Sequence, residues 1–122
     1  MRSYTVAVAA LALDVDIKWL DNVLSHHQVR GVERKRQGIQ RQILPESLII
    51  LAIAGALIDA LAVPIARAIE VAHAITKTGS SVPVSRTINV HVDLDSITAR
   101  LHDRLADAVE GAAQKPRGRP VR

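Results

Sequence analysis

The spacing of apolar residues predicts two short helices joined by a tight turn within residues 5–27. Thr5 and Asp16 are residue types that cap helix N-termini, and each directly precedes one of the two helices. Val15 lies in the turn between the two helices and is the apolar residue expected to pack there and fix the turn. Asp14 stands in the turn where glycine would be easiest, although aspartate tolerates a left-handed backbone better than most residues. This layout is typical of a helix-turn-helix unit.

The second predicted helix is amphipathic. Its packing face consists of Ile17, Leu20, Val23, Leu24 and His27. The opposite face carries side chains able to bond phosphates or base edges in a major groove, namely Lys18, Asn22, Ser25 and His26. A solvated helix face without a ligand is the other interpretation of this pattern. Trp19, at the edge of the polar face, is either a partly buried packing residue or a ring lying against a DNA backbone with its indole N–H on a phosphate.

Residues 28–43 change to a basic, glycine-punctuated pattern that predicts a β-hairpin with its tip near residues 34–38. Against one acid, Glu33, the basic side chains of this segment are Arg30, Arg34, Lys35, Arg36 and Arg41. A charged hairpin beside a helix-turn-helix is a wing, which straddles the phosphate backbone and adds affinity and salt dependence but little sequence information. A flexible basic loop is the alternative.

Two proline-started helices are predicted next. Pro45, at a first helical position, opens a helix whose residues 48–58 are uncharged and apolar. This run is too short for a membrane span, which needs about 20 apolar residues, so a buried centre or a dimer contact is the preferred interpretation. Pro64 starts the second helix, which carries an apolar stripe to Ile75. His73, without a partner at ligand spacing, is expected to be structural.

A strand followed by a helix is predicted after a linker at 76–85. Residues 86–94 alternate apolar and polar side chains, and the strand needs a partner: the wing, its own copy across a two-fold axis, or another protein. Asp93 or Asp95 would cap a helix reaching about Ala113. This unit suits self-association or partner capture, and completing the core of the monomer is the alternative. Its candidate interface residues are Ile88, Val90, Val92, Leu94, Leu101 and Leu105.

The last residues, 114–122, are basic and rich in proline and glycine, so they cannot bury a core of their own. Arg117 and Arg119 flank a glycine and precede a proline. This tetrapeptide resembles the core of an AT-hook, in which two arginines lie along a narrow A·T-rich minor groove. An ordinary basic tail is the alternative interpretation.

Composition and charge favour a small module that meets a polyanion. The chain has 122 residues, a net charge of +4 and no cysteine, which excludes disulfides and thiolate metal sites and favours a cytoplasmic protein over one with a signal peptide. Residues 1–43 carry seven basic and four acidic side chains, 44–114 carry five and eight, and the last eight residues carry four and none. Basic ends around an acidic middle suit a protein that presents its ends to nucleic acid.

The order of predicted elements over about residues 4–75 resembles the DNA-binding domain of MerR-type regulators. That family's recognition helix carries an arginine, aromatic residues and an acid, where this chain has Ile17-Lys18-Trp19-Leu20-Asp21. The resemblance gives Lys18 the phosphate role of the arginine and Trp19 that of an aromatic, and it matches Arg41 to the arginine ending the wing. Residues 44–48 resemble the start of the following helix. The family's long coiled coil and cysteine effector site have no counterpart, so we expect no metal and no cofactor.

The sequence thus predicts a mainly α protein: a MerR-like winged helix-turn-helix at 1–75, a linker at 76–85, a strand-helix unit at 86–113 and a basic tail at 114–122. The expected function is a dimeric transcriptional regulator that binds double-stranded DNA, and we expect it to act as a repressor. An antitoxin whose strand-helix unit binds a cognate toxin is the alternative. No arrangement of the five histidines or of any nucleophile indicates an enzyme.

Overall fold

The computed structural model describes residues 3–32 and 41–114 of the chain. These residues form five helices and one two-stranded sheet. The prediction of a mainly α protein is confirmed. In chain order the elements are α1 (Val6–Leu13), α2 (Ile17–His26), α3 (Pro45–Leu61), α4 (Ile65–Thr78), β1 (Ser81–Pro83), β2 (Asn89–His91) and α5 (Leu94–Gln114).

The first two helices begin and end where local chemistry places them. Thr5 accepts a hydrogen bond from the backbone N–H of Val8 at 3.2 Å, and Asp16 accepts one from the N–H of Lys18 at 3.2 Å. Asp14 adopts a left-handed conformation with φ 58°, and the N–H of Val15 donates to a carbonyl of α1. Both predicted caps and the predicted tolerance of the turn for aspartate are confirmed.

The two proline-started helices are also confirmed. Pro45 is the first residue of α3, and Pro64 directly precedes α4. The apolar run of α3 packs along α4 and forms the centre of the core. The largest fully buried side chains are Leu20, Ile43, Ser47, Leu48, Ile50, Ile53 and Ile75. Within residues 3–32 and 41–114, no helix combines the length and the apolar character needed to cross a membrane.

The pairing predicted for the C-terminal strand is wrong. β2 pairs antiparallel with β1, with Val82 opposite Val90, and β1 is not among the predicted partners. The predicted linker supplies this partner, and its first residues, 76–78, belong to α4. Ser81–Pro83 is three residues long and flanked by turn residues, so its sequence alone does not predict a strand. In the structure it pairs with β2 and packs on α4.

Helix α5 folds back onto α1 and α3. Asp93, one of the two predicted caps, accepts the N–H of Ser96 at 3.1 Å. The predicted place of Val92 and Leu101 in an interface with a second protein stays a prediction. Both residues are 8% exposed and belong to the core of the chain. The apolar seam of α5 therefore completes the monomer core. Of the other predicted interface residues, Ile88 is exposed, while Val90, Leu94 and Leu105 are half-buried against the core.

Candidate nucleic-acid interface

Helix α2 presents a polar face to solvent because its opposite face is anchored in the core. Leu20, Val23 and Leu24 are buried. The four side chains predicted to face a groove are all exposed, namely Lys18, Asn22, Ser25 and His26. Ile17, predicted on the packing face, is exposed instead, since it is the first residue of the helix and borders a cleft of about 470 Å³ between α2 and the start of α1.

Three side chains form a cluster at one flank of this face. The guanidinium of Arg41 lies 2.7 Å from Oδ1 of Asp21 and donates a second hydrogen bond to Oγ of Ser25 at 3.4 Å. The Ser25 hydroxyl donates to the Asp21 carbonyl at 2.9 Å. Arg41 is 8% exposed, so its predicted role as a phosphate contact is wrong. It ties the segment before α3 to α2 and fixes how the helix is presented.

The remaining polar side chains lie on one stripe, one helical turn apart: Lys18, Asn22 and His26. Nδ1 of His26 lies 2.9 Å from the carbonyl oxygen of Asn22, so this nitrogen carries the proton in the neutral ring. Nε2 is then left as an acceptor. The stripe combines an ammonium donor, an amide that both donates and accepts, and an imidazole acceptor, which is the range of groups needed to distinguish base edges.

Arg30 is held by helices α3 and α4. Its Nε lies 3.3 Å from a carboxylate oxygen of Glu46, and Nη2 donates to Oγ1 of Thr76 at 2.7 Å. Its backbone N–H donates to Nε2 of His73 at 3.2 Å, and its carbonyl accepts from buried Ser47 at 2.6 Å. These contacts give Arg30 an anchoring role, while its side chain stays exposed and its predicted phosphate contact stays a prediction. No pattern in the sequence signals the anchoring role, because each partner is distant along the chain.

His73 must be neutral to accept the N–H of Arg30. Partial burial lowers the pKa of His73 below its usual value of 6.5, and the nearby charges of Arg30 and Lys77 lower it further. The predicted structural role of His73 is consistent with this contact.

The base of the predicted wing is a small ladder. Ile43 pairs antiparallel with Tyr4 and with Val32, and it is fully buried. Before it, Gly31 has a φ of +89°, and a Cβ there would overlap Oγ of Ser47. Val32 and Ile43, on either side of the predicted wing, therefore lie next to each other. The predicted tip residues Arg34, Lys35 and Arg36 lie outside the described residues, as do Arg117 and Arg119 of the tail.

Trp19 lies at the other flank of the polar face and is 38% exposed. It lines a groove of about 1140 Å³, bounded by the turn between α1 and α2, by α3, by β2 and by the first half of α5. Both interpretations of this residue retain support, since part of the ring packs and part faces solvent.

Comparison of the chain with protein-family models, with curated proteins and with solved structures finds no match.

Proposed function

We propose that the protein is a DNA-binding transcriptional regulator that reads a major groove with α2. The observation that carries this proposal is the stripe of Lys18, Asn22 and His26. Its side chains are exposed to solvent, while the opposite side of the helix is held in the core by buried Leu20 and Val23. A recognition helix needs this combination, because its reading groups must be exposed while its backbone stays rigid.

The surroundings of α2 support the same role. The short helix α1 packs against α2 and is joined to it by a capped turn, which supports the proposal of a helix-turn-helix. The paired Val32 and Ile43 bring the ends of the basic segment 33–40 together beside α2. We propose that this segment is a wing whose Arg34, Lys35 and Arg36 contact phosphates and supply affinity without sequence information.

The charge of the chain is arranged for such a contact. Asp21 is the one acid on α2, and its carboxylate is neutralised by Arg41 at 2.7 Å. The polar face therefore does not repel phosphate at that flank, while Lys18 remains exposed on it. We further propose that the arginine-rich tail enters an adjacent minor groove.

The test is selection of bound sequences from random duplex DNA, run with the full chain and with a variant ending at residue 114. We expect enrichment of one motif by both proteins, with A·T-rich flanks enriched only by the full chain. Lys18→Ala should weaken enrichment, while Arg67→Ala, which removes an exposed cation of α4, serves as the matched control. Failure of the full chain to enrich any motif would overturn the proposal.

A further inference from the structure

The groove beside Trp19 has an apolar floor made of small residues. Ala52, Gly55 and Ala56 of α3 line it. Apart from the neighbouring residues and the backbone of α3, no heavy atom of the described residues lies within 4 Å of the place where a Cβ on Gly55 would stand. Its volume of about 1140 Å³ is larger than most small-molecule pockets, which hold about 300–1000 Å³. A concave surface of this size suits a protruding element of a protein.

The rim of the groove has an excess of acid, with four aspartates against two arginines, Arg100 and Arg104. Asp14 is paired with Arg104 at 3.5 Å, and Asp16 and Asp93 cap helices. Asp59, on the α3 side, is exposed and has no hydrogen bond or ion pair with any described residue. A basic, apolar element therefore complements the groove.

The β-hairpin formed by β1 and β2 is such an element. Its tip is a closed turn, in which the backbone N–H groups of Val84 and Ser85 donate to the carbonyl of Ile88 at 2.9 and 3.3 Å. Ile88 is 56% exposed, and Arg86 is exposed without an ion pair among the described residues. The tip thus presents a large apolar side chain and a cation from a preformed turn, so little conformational entropy is lost when it docks.

We propose that two copies of the chain associate by exchanging hairpin tips: Ile88 of each copy enters the groove of the other, over Gly55, and Arg86 faces Asp59. The groove and the tip adjoin in one copy, because β2 both lines the groove and leads to the tip. One two-fold axis therefore forms both contacts, and the interface closes without leaving a free groove. The inference deepens the proposed function, since a dimer presents two α2 helices to one DNA site.

The association is tested without DNA, by sedimentation of the full chain over a range of concentrations. We expect a monomer–dimer equilibrium whose dissociation constant rises about tenfold or more in Ile88→Ser, because a central apolar anchor is lost. Leu11→Ser is the matched control, since Leu11 is 52% exposed on α1 and lies outside the groove. Trp19 is the one tryptophan of the chain and lines the groove, so its fluorescence reports whether the groove is occupied. Quenching of this fluorescence by acrylamide should fall as the dimer forms.

Exchanging the charges of Arg86 and Asp59 provides a second test of the proposed dimer. Arg86→Asp and Asp59→Arg should each weaken the dimer about tenfold, since each places like charges together, and the double variant should return to within about threefold of the wild type. Asp59→Arg places a cation near the C-terminus of α3, where helices favour it, so folding is not compromised.

A monomer at every concentration, a dimer insensitive to Ile88→Ser, or a double variant no better than the single variants would overturn the proposal. A monomer that purifies with a different protein seated on Ile88 would do so as well. Failure here is distinguishable from failure of the proposed function. A monomer that still enriches a DNA motif overturns only the dimer, and a dimer that enriches none overturns only the reading of DNA.

Discussion

The guanidinium of Arg41 lies 2.7 Å from the carboxylate of Asp21, and the arginine is almost fully buried. This pair fixes the polar face of α2 to the segment that precedes α3. A basic residue next to a predicted wing thus acts inside the protein, as a positioning residue for the helix proposed to read DNA.

Removing this arginine should destabilise the fold. We expect Arg41→Ala to lower the free energy of unfolding by about 1–3 kcal/mol, because a charge-assisted hydrogen bond and buried aliphatic packing are lost together. Chemical denaturation monitored by circular dichroism measures it. Arg67→Ala, which breaks the exposed pair of Arg67 with Glu70, should cost no more than about 0.5 kcal/mol. Equal losses in the two variants would refute a special role for Arg41.

The glycine before the wing should not tolerate a side chain. Gly31→Ala introduces strain at φ +89° and a clash with buried Ser47, which holds the carbonyl of Arg30. We expect a loss of more than about 1 kcal/mol, measured as a lower midpoint of urea unfolding. Gly111→Ala, in the last turn of α5, should instead cost nothing and gain at most about 1 kcal/mol. A neutral Gly31→Ala would contradict the geometry described for this turn.

Acid should weaken the anchor of residues 30–32. The pKa of His73 is lowered in the folded state, so the unfolded state binds a proton first as the pH falls below 6.5. The contribution of neutral His73 is therefore complete above that pH and declines as the pH falls toward the lowered value. Protonation also removes the acceptor of the Arg30 N–H and adds repulsion from Arg30 and Lys77, although Glu46 beside Arg30 offsets part of it.

The matched variant is His73→Gln, whose amide oxygen still accepts a hydrogen bond but does not titrate. We expect the free energy of unfolding to fall less between about pH 7.5 and 5.5 in this variant than in the wild type. The comparison isolates His73 from the other four histidines. Identical pH profiles would show that this contact carries no pH-dependent stability.

Much of the fold could be predicted because its determinants are local. Thr5 and Asp16 cap helices with hydrogen bonds spanning two or three residues, and Pro45 and Pro64 mark helix starts through their own ring geometry. The exposure of Lys18 and Asn22 followed from the helical period.

What the sequence could not predict depends on contacts that the pattern of a single segment does not contain. The partner of β2 is a strand of only three residues between turn residues, and it is recognised only from its pairing with β2 and its packing on α4. The positions of Arg30 and Arg41 depend on Glu46, Thr76 and Asp21, far away in sequence. A basic residue looks the same in sequence whether it faces solvent or a carboxylate, so the composition of a segment cannot show which arginines are free.

The central claim is that the exposed stripe of α2 reads base pairs. It is tested most directly by comparing wild type with Asn22→Ala for binding to the selected motif, to motifs changed at single base pairs, and to random duplex. We predict that the wild type binds its motif at least about 1000-fold tighter than random DNA, and that Asn22→Ala loses about 5- to 150-fold of this preference at one position. Equal binding of both proteins to the motif and to random duplex would contradict the account.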